Sequence, residues 1–284
     1  MSKFRIGCLT AGIIILLSVG AVFAAVNIGG NGNGSASEPL SSSSISTSFS
    51  IPLIDSDNDG FSDWFEENIA GYDPNIPNDR YIILYFRILE DPGSIPYAIE
   101  KPTKFFIKKG GVPLENIITL AQEEAYDTNL QNAIEQIAEK SDKNDIVFLK
   151  IGTHGTSGGF SGNVKYTLLD EWLDQIEAKV VIVVIMACHS EAALPILKEG
   201  GCPRIVYAHT SGEFIGTLGN DLRYSAIADG QYGNGDGYVS IKEVESYLTF
   251  HIAPAPKPTW GFIQGTDTSN IADQIYLTDY KIPS

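Results

Sequence analysis

Positive charge is scarce in this chain: 19 Lys and Arg stand against 35 Asp and Glu over 284 residues, for a formal net charge of −16. That shortage excludes a nucleic-acid backbone as partner, because neutralising phosphates takes clustered Lys and Arg. Acidity suits solubility, or divalent cations, instead. Cysteine is scarce too: of three, Cys8 lies in an N-terminal apolar stretch, which leaves Cys188 and Cys202 in the body. What is abundant is apolar surface. At 43% hydrophobic residues the chain can build a substantial core in one large domain or two small ones, and disorder of the whole is excluded.

Lys3 and Arg5 precede GIIILLSVGAVFAAV, which ends in small residues around Ala24 and Ala25. This is the pattern of a secretory signal. The stretch from Cys8 to Ile28 is also about long enough to span a bilayer, so residues 1–28 are either a signal peptide or an N-terminal membrane anchor. On both readings the protein is extracellular, secreted or held at the outer face of the cytoplasmic membrane. Residues 29–50, GGNGNGSASEPLSSSSISTSFS, have no apolar periodicity and read as a flexible Ser/Gly-rich linker.

Residues 51–79 hold an acidic loop, DSDNDGFSDWFEE, a short helix and the turn-rich GYDPNIPNDR. From residue 80 to 284, short apolar runs alternate with amphipathic stretches. That alternation predicts an α/β domain with a mostly parallel central sheet and helices on both faces. Strands are expected at 81–89, 115–122, 145–153, 180–187 and 204–210, with a final edge strand at 260–265. Helices are expected near 95–109, 128–140, 167–178, 191–198 and 222–228, and through 248. VVIVVIMA, 180–187, is apolar without a break, as a strand buried on both faces would be.

Two strands end alike, one in KIGTHGTSGG and the other in IMACHSEAA. Carboxyl ends of a parallel sheet share one edge, where ligands bind, so His154 and Cys188 are expected at that edge. If their strands are neighbours, roughly 4.8 Å apart, the two side chains come within reach of each other. A cysteine attacks carbonyls as its thiolate, and a nearby imidazole lowers its pKa and later protonates the leaving amine. Gly155 leaves room for a substrate backbone, and its N–H with that of Cys188 can stabilise an oxyanion. A loop histidine and an inert core cysteine are the competing readings, but neither explains the equivalent positions. A Cys188–Cys202 disulfide is excluded by topology: a strand of about seven residues spans some 23 Å, whereas bridged Cα atoms lie within about 7 Å.

The pair of FLKIGTHG and VIVVIMACHS, in that order, resembles the motif pair of the clan CD cysteine peptidases, which include caspases, metacaspases, legumains and clostripain. The segment GGVPLENIITLAQEEAYDTNLQNAIEQI is similar to the corresponding stretch of bacterial and archaeal caspase-like domains. The resemblance runs from about Arg80 to the end. It implies a caspase-haemoglobinase-like three-layer sandwich and a cysteine endopeptidase with Cys188 as nucleophile. It also implies His154 as general acid and Gly155 with Cys188 as oxyanion donors. Glu191 departs from the family, which often has glycine there. Pocket residues are expected from loops after several strands, Thr153, Glu191, Ser211 and Glu213 among them. A local excess of Asp and Glu favours a basic residue before the cleaved bond of a protein or peptide substrate. Two rival readings stay open: a catalytically inactive calcium-binding adhesion or scaffold module on the same fold, and transpeptidation through the same acyl-enzyme.

Asp55, Asp57, Asp59, Gly60, Phe61, Asp63 and Glu66 fall at positions 1, 3, 5, 6, 7, 9 and 12 of a calcium loop. With GYDPNIP, the element resembles bacterial thrombospondin-type-3-like calcium repeats. Ca2+ is therefore the expected cofactor, and no organic cofactor is expected. In an EF-hand-like loop at 232–243, Asn234, Asp236, Tyr238, Ser240 and Glu243 occupy positions 3, 5, 7, 9 and 12. Tyr232 stands at position 1, where a carboxylate is expected. This second site is the weaker one, and its other role is to nucleate the turn into IKEVESYL.

Overall fold

The computed structural model describes residues 54–198, 200–208, 213–252, 263–267 and 270–283. The apolar N-terminal segment and the linker lie outside them. Among the described residues, no helix is long and apolar enough to cross a membrane. The strands are β1 Arg80–Arg87, β2 Ile117–Ala121, β3 Ile146–Thr153, β4 Gly155–Thr156, β5 Gly159–Phe160, β6 Val164–Lys165, β7 Val180–Met186, β8 Arg204–Ala208 and β9 Ile263–Asp267. Six of them form one sheet in the order β2-β1-β3-β7-β8-β9. The first five run parallel, and β9 closes the β8 edge antiparallel.

The unbroken apolar strands divide by the two-residue period of an extended chain. Ile83, Val147, Leu149, Val181 and Val183 face one core, whereas Ile82, Phe148, Val180 and Ile182 face the other. The first core is covered by helices Asp127–Ala138 and Tyr166–Leu173 through Leu130, Ile134, Leu169 and Leu173. The second is covered by helices Lys101–Lys108 and Ile241–Tyr247 through Phe105, Phe106, Val244 and Tyr247. The result is a three-layer α/β sandwich. All eight residues of β3 are buried, and each aliphatic side chain among them contributes roughly 1.5–3 kcal/mol on burial.

Two buried arginines tie the layers together. Arg204, at the start of β8, donates to Asp170 Oδ1 at 2.5 Å and Asp174 Oδ1 at 2.6 Å, which pins helix Tyr166–Leu173 to the sheet. Arg80, at the start of β1, donates to Gly110 O at 2.7 Å and Asp59 O at 2.6 Å. Its guanidinium also lies 3.6 Å over the Phe61 ring. Arg80 thus fastens the acidic 54–66 segment to the sheet, where Phe61, Phe65, Tyr72, Tyr238 and Tyr276 form a small aromatic core.

Two features differ from the sequence pattern. The glycine-rich stretch after β3 folds as a three-stranded meander, β4-β5-β6. Its strands have two residues each, too short to show a period. At Gly159 a Cβ would run into the Val164 carbonyl, so the tight pairing requires glycine. A short helix at Glu213–Ile215, not expected from the sequence, also precedes the helix Leu222–Tyr232, which begins where the periodicity places it.

Arg80→Ala is expected to lower the unfolding free energy by about 3 kcal/mol or more, since it strands two buried carbonyls and removes the cap over Phe61. Urea denaturation followed by tryptophan fluorescence checks this.

Candidate functional site

The edge formed by the carboxyl ends of β1, β3 and β7 carries the chemistry-bearing residues. β3 and β7 pair in register from Ile146↔Val180 to Gly152↔Met186. His154 and Cys188 therefore each stand two residues beyond the last pair. Immediately after them the backbones touch: a Cβ on Gly155 would run into the Cys188 carbonyl and come within 2.9 Å of the Ala187 methyl. Glycine at 155 is thus what allows the two loops to close on each other, with the backbone after His154 packed against that of Cys188. Cys188 is half-buried and free. Its thiol makes no hydrogen bond among the described residues. His189 takes a left-handed backbone, φ 57°, which turns the chain from β7 into the short helix Ser190–Ala193.

Glu90, in the loop after β1, was not singled out in the sequence. Its Oε2 lies 3.3 Å from His154 Nε2, and the hydrogen bonds it accepts, first from backbone and then from His154, hold its carboxyl below the usual range. No short motif marks it; only the proximity of the β1 and β3 ends brings it to the histidine. Beside His154 lies an open pocket of about 480 Å3, walled by Gly155, Phe160, Asn163 and Lys165 of the meander.

The four expected pocket residues separate. Thr153 is 5% exposed and its hydroxyl donates to Arg87 O at 2.8 Å, so it ties the end of β3 to that of β1. Glu191 is exposed, with Oε1 at 3.7 Å from His189 Nδ1. Ser211 and the side chain of Glu213 lie outside the described residues. Cys202 sits beside the start of β8, whose Arg204 pairs with Val181 at the beginning of β7. That is the far end of the strand from Cys188, and both thiols are free.

In the first acidic loop, one oxygen each of Asp55, Asp57 and Asp59 lie within 4.8 Å of one another. Asp55 accepts from Asn58 N at 2.8 Å and Gly60 N at 3.0 Å, and Gly60 adopts the φ of +88° that the turn needs. The Phe61 N–H donates to Asp59 Oδ1 at 2.6 Å. Glu66 is 0% exposed, and neither of its carboxylate oxygens has a hydrogen-bond partner. Burial, then the charges of Asp59, Asp57, Asp55 and Asp63, push its carboxyl up to about 8. Three clustered carboxylates, with a buried and unpartnered fourth in the same loop, are of the chemistry that a hard divalent cation such as Ca2+ takes. Asp63 stands apart, because its two oxygens accept from Ser56 N and Ser56 Oγ, both at 2.7 Å.

The second loop contains a substitution that sequence spacing hid. In the first loop the residue at position 1, Asp55, accepts from the N–H at position 6. In the second, the position-6 N–H of Gly237 donates to Asp229 Oδ2 at 3.2 Å. Asp229, three residues before Tyr232, supplies the carboxylate that Tyr232 lacks. Ser240 and Glu243 close a capping box at the start of helix Ile241–Tyr247, the turn-nucleating role, while Glu243 also accepts from Asn234 N at 3.0 Å. Asn234 and Asp236 hydrogen-bond each other at 2.8 Å. Tyr238 joins the two loops, its ring lying 5.1 Å from that of Phe65.

In calcium-free buffer the acidic loop is expected to make the fold less stable as pH rises. Glu66 is raised from 4.5 to about 8 and Asp59 from 3.8 to about 6, mainly by burial. Between those values the folded chain holds protons that the unfolded chain has lost, so stability falls with increasing pH. Glu66→Gln is expected to flatten that decline in thermal melts between pH 5 and about 8.

No family model matches the chain, and none of the curated proteins matches it either. Among solved structures, a protein of Geobacter sulfurreducens determined as a structural-genomics target is similar, with TM-score 0.45 and 13% identity, covering 72% of this chain and 99% of that one.

Proposed function

We propose that the protein is a cysteine endopeptidase of the caspase-like kind, exported or tethered outside the cytoplasm, acting on protein or peptide substrates. The observation that carries this reading is the in-register end of β3 against β7, with Gly155 packed on the Cys188 carbonyl. Cys188 Sγ, as thiolate, attacks the scissile carbonyl to form a thioacyl-enzyme. His154 protonates the departing amine and then deprotonates the water that hydrolyses the thioester. The N–H groups of Gly155 and Cys188 are the oxyanion donors. Glu90 orients the His154 ring. Because His154 and Glu90 are both largely exposed, Glu90 contributes only modestly.

Asp55, Asp57, Asp59 and Glu66 would hold Ca2+, which would supply charge neutralisation there. These residues then hold the loop closed against Arg80 and the aromatic core. A second reading, a calcium-binding module without turnover, is favoured by the unbonded Cys188 thiol and by the contact of His154 with Glu90.

Cleavage of fluorogenic peptides in calcium decides between them. Cys188→Ala is expected to abolish turnover, His154→Ala to lower kcat by about 10²- to 10⁴-fold, and Glu90→Gln by less than about tenfold. Equal rates in wild type and Cys188→Ala, together with no labelling of Cys188 by electrophilic peptides, would establish the inactive module. Calcium is expected to raise the melting temperature of the wild type, and Glu66→Gln to remove most of that gain.

A further inference from the structure

The two acidic loops share a hydrogen-bond pattern as well as a composition. In the first, the position-1 carboxylate of Asp55 accepts from the position-6 N–H of Gly60 at 3.0 Å, Asp57 Oδ1 from Asp59 N at 3.2 Å, and Asp59 Oδ1 from Phe61 N at 2.6 Å. In the second, Asp229 Oδ2 accepts from Gly237 N at 3.2 Å, Asn234 Oδ1 from Asp236 N at 2.9 Å, and Asp236 Oδ1 from Tyr238 N at 2.8 Å. The bonds match one for one, and the glycine at the turn takes φ +88° in one loop and +91° in the other. What differs is the origin of the first carboxylate. Asp229 comes from the last turn of helix Leu222–Tyr232, not from position 1 of the loop.

Asp229 is 7% exposed. The Gly237 bond turns its carboxylate towards the loop, yet its other oxygen, Oδ1, is buried and has no hydrogen-bond partner. Such an orphaned oxygen is costly, and the carboxyl end of a helix is an unfavourable place for a negative charge. Burial, then the like charge of Asp236, push the Asp229 carboxyl up. None of Asp229, Asp236 and Glu243 has an ion pair among the described residues. Glu243 is buried as well, and it reaches back over the loop: a Cβ on Gly233 would run into its carboxylate. Its oxygens accept from Asn234 N at 3.0 Å and Ser240 N at 2.9 Å, and each keeps a second lone pair.

We propose that the second loop is a separate Ca2+ site assembled from two helices, in which Asp229 takes the place of the missing position-1 carboxylate beside Asn234, Asp236 and Glu243. Three carboxylates and an amide oxygen are the all-oxygen donor set of a hard divalent cation. A cation there would satisfy the orphaned Asp229 oxygen and offset the clustered negative charge together. It would also tie helix Leu222–Tyr232 to helix Ile241–Tyr247, both of which pack on the second core through Ala228, Val244 and Tyr247. The site is independent of the peptidase reading and of the first loop.

Calorimetric titration of the metal-free protein with Ca2+ tests the site through binding rather than turnover. Asp229→Asn keeps an oxygen for the Gly237 N–H but removes the charge. It is expected to abolish one Ca2+ or weaken it at least about tenfold, and that same ion is expected to remain in Asp55→Asn. Binding that a folded Asp229→Asn chain leaves unchanged, or no Ca2+ binding at all, would overturn the proposal. Asp236→Asn, which leaves the helix untouched, decides the matter where Asp229→Asn does not fold: the same loss supports the site, and unchanged binding overturns it. If the reading of the first loop fails, Asp55→Asn changes nothing and the Asp229-dependent ion remains. Absence of peptidase activity would not alter these titrations, so the readings fail separately.

Discussion

The parallel pairing of β3 with β7, from Ile146↔Val180 to Gly152↔Met186, is the constraint on which the rest of the molecule depends. Parallel strands deliver their carboxyl ends to one edge, and equal register delivers them at equal height. Because both strands lie in the middle of the sheet and are buried on both faces, a slip of one residue would turn every side chain to the wrong core. The register is therefore held by the whole hydrophobic interior, and the loops at its end inherit that rigidity. Gly155 completes the arrangement, since any side chain there would force the His154 and Cys188 loops apart.

A second level of organisation sits at the opposite, amino-terminal end of the strands. Arg80, at the start of β1, bonds the Asp59 carbonyl and stacks on Phe61. The acidic loop thereby becomes part of the domain's packing rather than an appended repeat. Asp59 adds a bond from Asn78 N at 2.7 Å, and Tyr238 couples the first loop to the second through the aromatic core. A cation bound in the first loop would act on the sheet through groups already bonded to it, at the end remote from Cys188, and so through stability rather than direct contact.

Much of the architecture was legible in advance. The runs IVFLKIGT and VVIVVIM announce doubly buried parallel strands, and the structure places them at Ile146–Thr153 and Val180–Met186. The alternation with amphipathic helices was equally plain, because a helix that covers a sheet must show its apolar stripe at helical spacing. The meander after β3 was not legible, since two-residue strands carry no period. Thr153 read as a loop-end residue and is buried, because the ends of β1 and β3 lie level and its hydroxyl finds the Arg87 carbonyl. Glu90 and Asp229 were missed for a common reason: each acts across a gap that only folding closes.

By itself, then, the sequence determined the α/β class, the two strand ends bearing His154 and Cys188, and the spacing of the first acidic loop. These are local properties, written in periodicity and short motifs. Tertiary structure alone decided which strands are neighbours and that Asp229 stands in for the carboxylate missing at Tyr232. It alone decided that Glu66 is buried without a hydrogen-bond partner and that Lys150 is buried within β3. The physical reason is that a side chain's charge, partner and exposure depend on what packs against it from distant parts of the chain. No window of residues contains that information until the sheet has assembled.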